Sequence, residues 1–143
     1  MTEATSQVVA DTQVLVWYLT DSTKLSAATQ HALEACVAGD DPIVVNSISL
    51  VEIVYAAEKV KNPLTAEQRD YVFAVLEQDD SPFLVVATTS AVARVMVAID
   101  RELLPDPADR SIAATAIATG LPVVTSDQKL RKACDRGLLT VVW

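Results

Sequence analysis

Five short apolar runs divide the chain: Val8–Ala10, Ile43–Val45, Phe83–Ala87, Pro122–Val124 and Leu138–Val142. They are apolar throughout rather than alternating, as strands buried on both faces are. The stretches between them carry helical spacing, and a helical crossover returns the chain to lay the next strand parallel to the last. The expected fold class is therefore α/β, a three-layer α/β/α sandwich around a short, mainly parallel central sheet. At 143 residues the chain has the size of one ordinary domain, and 1–143 is read as a single unit.

Local signals mark the helices. Val14–Leu19 predicts a helical turn ending near Asp21. Ser26–Ala38 is Ala-rich and meets Gly39, a C′ residue. Ser49–Val60 places Leu50, Val54 and Ala57 at helix spacing, before the break at Asn62–Pro63. Thr65 and Gln68 form a capping box for a helix to about Gln78. Thr89–Leu103 sets Val92, Val95, Met96, Ile99 and Leu103 on one face. Ala108–Thr119 follows Pro105–Asp106–Pro107, and Asp127–Asp135 is a basic helix.

Several function classes drop out. The longest apolar run, Val14–Leu19, is far short of the ~18 residues of a membrane span. Met1–Gln7 is polar and carries Glu3, unlike a secretory leader. Cys36 and Cys134 have no metal-ligand spacing, so the cytoplasm is the expected compartment. Three glycines, Gly39, Gly120 and Gly137, cannot build a phosphate-cradling loop. The one histidine, His31, sits among Ala27, Ala28, Ala32 and Ala35 on a helix and reads as a surface or packing residue. Eleven Lys and Arg against 19 Asp and Glu give a net charge of −8, which argues against holding nucleic acid by bulk electrostatics. It leaves open an enzyme that meets phosphates through bound cations.

Four acids recur at one place in the pattern. Asp11 ends the first strand, Glu52 lies in the first turn of the helix after the second, Asp109 opens the Ala-rich helix, and Asp127 follows the fourth strand. Strand C-termini and the following helix N-termini share the edge where open α/β sheets bind ligands. Each acid also has a structural explanation. Ser49 to Glu52 has capping-box spacing, Asp106 with Pro107 reads as a cap that leaves Asp109 at N3, and Asp127 and Asp11 suit a cap and a turn. Capping alone does not explain four acids at one edge. Two carboxylates about 4 Å apart repel by about 4 kcal/mol at an effective dielectric of 20. Such a cluster binds cations or takes up protons, and oxygen-only donors select Mg²⁺ or Mn²⁺ over zinc.

VVADTQVLVWYL at 8–19, SLVEIVYA at 49–56, DPADRSIAATAIATGLPVVTSD at 106–127 and the terminal LLTVVW resemble a PIN domain, more narrowly the VapC-type ribonuclease toxins of toxin–antitoxin modules. The resemblance spans nearly the whole chain and is most specific over 106–127. It implies a PIN-like fold and a catalytic, metal-holding quartet of Asp11, Glu52, Asp109 and Asp127, with Asp11, Asp109 and Asp127 on Mg²⁺ or Mn²⁺ and Glu52 direct or through water. Asp106 matches an additional acid and Thr125 a pocket hydroxyl. Many such toxins carry a His shortly before the DP-x-DR segment, where this chain has Leu103–Leu104–Pro105. The implied reaction is hydrolysis of RNA to a 5′-phosphate and a 3′-hydroxyl.

Lys129, Arg131 and Lys132, with Arg136, offer a phosphate rail for RNA, or a solvated helix face whose cations suit a helix C-terminus. Arg110 is expected as an ion-pair partner inside the acid pocket. The resemblance also implies a cognate antitoxin whose basic tail covers that pocket. It implies a homodimer too, with Tyr55, Tyr71 and Phe73 as interface candidates. Alternatives are a PIN nuclease of RNA processing, a PIN-like fold that binds without cutting, and a phospho-receiver module. The last needs paired acids after the first strand and one after the third. Asp11 stands alone, and Phe83–Ala87 runs into Thr88–Thr89.

Overall fold

The computed structural model describes residues 6–143, so most of the polar segment Met1–Gln7 lies outside the described residues. Five parallel strands, β1 (Val9–Ala10), β2 (Ile43–Asn46), β3 (Phe83–Val86), β4 (Val123–Val124) and β5 (Val141–Val142), form one sheet in the order β3-β2-β1-β4-β5. Seven α-helices connect them: α1 (Thr12–Thr20), α2 (Ala27–Ala38), α3 (Ile48–Ala57), α4 (Ala66–Glu77), α5 (Ser90–Val97), α6 (Pro107–Thr119) and α7 (Gln128–Asp135). The first three strands build outward from β1 in one direction, and the chain then crosses to β4 on its other side. The order reverses between β1 and β4, so the crevice beyond their C-termini is the fold's natural binding place.

The pleat divides the core into two. Ala10, Ile43, Val45 and Val124 face Leu15, Leu33, Ile53 and Val72 of α1, α2, α3 and α4. Val9, Val44 and Val123 face Ile112 and Ala116 of α6. Beyond α6, its Ala113 and Ala114 pack with Ile99, Leu104 and Leu130. The small side chains of α6 let a helix covered on several sides lie close to the sheet. Burying one such Leu or Ile contributes about 1.5–3 kcal/mol.

Several boundaries depart from expectation, among them β5, which starts at Val141 rather than Leu138. α3 stops at Ala57 rather than Val60, because Val60 is fully exposed and the Ala56 carbonyl accepts from Leu64 N–H across the turn. α5 stops at Val97 rather than Leu103. Asp100 Oδ1 accepts from Glu102 N–H and turns the chain, while Ile99 and Leu104 stay buried beyond the helix end. After α2 the left-handed residue is Asp40 (φ 54°), and Gly39 keeps a negative φ. The capping box at Thr65 and Gln68 is present as expected, and His31 is exposed.

Candidate active site

Asp11 leaves β1 and caps α1. Its Oδ1 accepts from Thr12 N–H at 2.8 Å, and its Oδ2 accepts from the Thr125 hydroxyl at 2.6 Å. Thr125 Oγ1 in turn accepts from Asp127 N–H at 2.9 Å. The turn after β4 is thereby fastened to the end of β1, across the topological switch. Asp11 is only 8% exposed, and burial raises its pKa despite both hydrogen bonds. The charges of Asp127 and Asp106 push it further the same way.

Glu52 is not a cap. α3 starts at Ile48, which puts Glu52 in its second turn and leaves Ser49 inside the helix. Glu52 Oε1 accepts from the Thr12 hydroxyl. That spends the one proton of Thr12, so Ser49 donates to Thr12 Oγ1 at 2.7 Å. Burial raises the Glu52 pKa first, opposed by Thr12 and aided by Asp11, Asp106 and Asp127.

Asp106 does cap α6, accepting from Ala108 N–H at 2.9 Å with Pro107 next. Asp127 caps α7 through Oδ1, which accepts from Lys129 and Leu130 N–H. The capping explanation holds for these two as it does for Asp11, yet each of the two uses one oxygen and leaves the other without a hydrogen bond among the described residues. Asp109 has no hydrogen-bond partner among the described residues. Its pKa is pushed up to about 7 by burial, then by the charges of Asp127, Asp106, Asp11 and Glu52.

All five acids line one cleft of about 700 Å³ at the C-terminal edge of the sheet. They come from four segments far apart in sequence, and the sheet topology brings them together. As placed, no three Asp, Glu, His or Cys side chains among the described residues are grouped tightly enough to hold one metal ion. The cleft is an open, electronegative crevice and not a closed cage.

Other expectations require correction. Arg110 pairs with none of these acids. Its Nη2 donates to the carbonyls of Met96 and Ile99, at 2.7 and 2.8 Å, and so ties the start of α6 to the end of α5. Among the described residues the only ion pair is Arg69 with Asp70. The cations of α7 do not line the acid cleft. Lys129 and Lys132, joined by Arg136, line a separate groove opposite Asp100 and Glu102, and Arg131 is exposed outside it. Of the three aromatics, Tyr55 and Tyr71 are exposed, whereas Phe73 packs against the core.

Sequence reasoning missed Thr12, Tyr55 and Lys59 as parts of this cleft. Thr12 directly follows Asp11, and Tyr55 stands at i+3 from Glu52, so helix spacing carried a signal for both. It also missed Asn46 at the end of β2. The Asn46 Oδ1 accepts from Ile48 N–H at 2.8 Å and from the Thr88 hydroxyl at 3.0 Å, and its Nδ2 donates to Thr115 Oγ1 at 2.7 Å. Thr88 and Ser111 are joined at 2.6 Å, with Ser111 the donor because Thr88 gives its proton to Asn46. This network sets the start of α3 and ties it to the middle of α6, the helices that carry Glu52 and Asp109.

An all-parallel sheet with reversed order at β1 and β4, and acids at that reversal, is the arrangement expected of a PIN domain. The chain belongs to the PIN-domain family, whose model matches residues 8–136. Within it the chain stands with the VapC group: it is 34% identical over 124 residues to Ribonuclease VapC22 of Mycobacterium tuberculosis (strain ATCC 25618 / H37Rv), covering 87% of this chain and 89% of that relative. Among solved structures it is similar to VapBC2 from Rickettsia felis bound to a promoter DNA fragment, with a TM-score of 0.67 at 18% identity over 94% of this chain and 96% of that one. It is also similar to VapBC-5, a member of the VapBC family of toxin–antitoxin systems from Mycobacterium tuberculosis, with a TM-score of 0.59 at 19% identity over 95% and 97%. At these identities the structural likenesses establish the fold. Membership of the PIN-domain family closes the phospho-receiver alternative. No helix among the described residues is long and apolar enough to cross a membrane.

Proposed function

We propose that the chain is a Mg²⁺- or Mn²⁺-dependent endoribonuclease, the toxin of a toxin–antitoxin pair, working as a single domain in the cytoplasm. The observation that carries this is the convergence of Asp11, Glu52, Asp106, Asp109 and Asp127 on one cleft with the Asp109 carboxyl near neutrality. The similarity to a protein named Ribonuclease VapC22 supports RNA as the substrate.

The donors fit a hard divalent cation in kind. They are all oxygen, they repel one another, and the Asp109 carboxylate is unspent in hydrogen bonding. Asp11, Asp109 and Asp127 would hold the ion, with Glu52 beside them. A bound cation supplies charge neutralisation at the scissile phosphate and a water of lowered pKa. The chain's own residues do the rest. Thr125 and Thr12 fix the orientation of Asp11 and Glu52 through their hydroxyls. With no histidine in the cleft, proton transfer falls to the carboxylates and to water.

An electronegative cleft that needs a cation also suits a cationic inhibitor. An antitoxin with a basic tail would reach the acids through charge-assisted bonds, and the VapBC assemblies among the structural relatives support such a partner. A homodimer is part of the same proposal, with the exposed Tyr71 as one candidate contact. The test is cleavage of RNA with Mg²⁺ or Mn²⁺, with and without chelator. Cleavage that survives chelation overturns the metal mechanism, and a wild type that cuts no RNA with either ion overturns the nuclease.

A further inference from the structure

The acid cleft holds two side chains that hydrolysis does not use. Tyr55 stands one turn beyond Glu52 on α3, about 4.5 Å further along the axis. Its side chain lines the cleft and is 69% exposed. An aromatic ring left that bare beside a ligand-binding crevice costs burial energy unless something stacks on it. Lys59, just past the end of α3, is the only Lys or Arg among the described residues lining this cleft. Beyond Lys59 the surface continues into a second groove of about 520 Å³, which shares Thr12, Gln13, Ala56 and Lys59 with the first. A chain leaving the acids in this direction meets a ring, then a cation, then an open channel.

We infer that Tyr55 is a stacking platform for an unpaired base of the RNA next to the scissile phosphate, and that Lys59 holds the following phosphate. This rests on the nuclease reading above and adds the two residues of this chain that would hold the strand beside the acids. The chemistry is that of proteins that track single strands, where aromatic faces take bases and cations take the backbone. A base inside a duplex has both faces covered by its neighbours, so only an unstacked one can lie on Tyr55. Every base has a π-face, so the contact selects unpaired RNA without reading sequence. Lys59 also resolves an electrostatic difficulty, because it places a positive charge at the exit of a cleft that otherwise repels phosphate.

The experiment measures anisotropy of a labelled six-nucleotide single-stranded oligoribonucleotide in chelator, and steady-state cleavage with Mn²⁺. Stacking lost at one base corresponds to about tenfold in affinity. Tyr55→Leu should therefore weaken oligonucleotide binding and raise KM about tenfold, with the loss falling on KM more than on kcat. Tyr55→Phe, which keeps the ring, should stay within about twofold of wild type. An abasic nucleotide at the stacked position should bring wild type down to the Tyr55→Leu level. Lys59→Ala should lower the slope of log affinity against log salt by about 0.7, one single-strand phosphate contact. Because both side chains are exposed, thermal melts of the variants should match wild type. The inference is overturned by Tyr55→Leu binding and cutting like wild type, or by equal sensitivity to Tyr55→Leu for a blunt RNA duplex. Light scattering that shows Tyr55→Leu to change the oligomer and not the affinity assigns the ring to a second copy of this chain and overturns it too. A wild type that binds the oligonucleotide through Tyr55 but never cuts it overturns the nuclease reading and leaves this inference standing.

Discussion

The C-terminal edge of the sheet carries two polar clusters of opposite character. β2 and β3 end in the Asn46 network, where an amide and hydroxyls pair with one another and no charge is present. β1 and β4 end in the acid cleft, where burial and mutual repulsion raise three carboxyls and Asp109 finds no partner. The first cluster is complete without a ligand. The second keeps acceptors open and charges unneutralised, and a fold tolerates that only where something else supplies the missing half. Satisfaction within the chain therefore separates scaffold from site along one edge.

Removing a charge tests that contrast most sharply. Asp109→Asn should abolish cleavage, because it takes away the donor left free for the cation. In the metal-free protein it should raise the melting temperature by about 2–4 °C, since it relieves repulsion from four acids and breaks no hydrogen bond. Asp11→Asn should abolish cleavage without that gain. Its amide would meet the hydroxyl that Thr125 now donates, and a buried bond is spent. Paired thermal melts and cleavage assays read both, and equal melting shifts for the two variants would break the distinction between them.

On the neutral side, replacement should only harm. Asn46→Leu leaves Ile48 N–H without its acceptor and deprives Thr88 and Thr115 of a partner. An unsatisfied buried group costs about 1–3 kcal/mol, so a loss of about 2–4 kcal/mol in urea unfolding is expected. Activity should fall only as far as α3 and α6 shift. A stable Asn46→Leu protein would show that the network is not what holds that half of the edge.

The two halves should also differ with pH. Asp109 titrates near 3.8 in an unfolded chain and near 7 in the folded one. Between those values the folded protein keeps a proton that the unfolded chain has released. Stability from this group is therefore fully present below about pH 4 and lost as pH rises through about 7. Asp11 and Glu52, also raised, act in the same sense. The melting temperature of the metal-free protein should fall over that range. Asp109→Asn should flatten the fall, and millimolar Mn²⁺ should reverse it by mass action. A wild-type profile that rises from pH 4 to 7 would contradict the raised carboxyls.

The contrast between the clusters also explains what was legible in the sequence. Apolar runs fixed the five strands and the layers, because burial on both faces leaves an unbroken pattern. Asp11, Asp109 and Asp127 were visible at strand ends and helix starts, where topology alone predicts convergence. Asn46 was not, since a single amide at a strand end looks the same whether it closes a network or meets water. Arg110 was misassigned for a related reason. Adjacency to Asp109 suggested an ion pair, yet successive helix residues point apart, and Arg110 turns to the carbonyls that α5 exposes by ending early. Glu52 shows the opposite error, a capping spacing at Ser49 that the earlier start of α3 left unused.

The smallest effect concerns charge outside both clusters. Lys129, Lys132 and Arg136 share a groove on α7, separate from the acids, and Asp100 and Glu102 face them without forming an ion pair. Those two carboxylates reduce the field that a phosphate would feel there. Replacing the three cations with Ala should weaken single-stranded RNA binding only several-fold and lower the salt slope by at most about 2, at roughly 0.7 for each phosphate contact. Arg131→Ala, on another face of the helix, should leave the slope unchanged. Asp100→Asn with Glu102→Gln should act in reverse, tightening binding by unmasking the same cations. If Arg131→Ala lowered the slope while the triple replacement did not, the RNA would run along the other exposed face of α7, and the groove would be a solvated surface only.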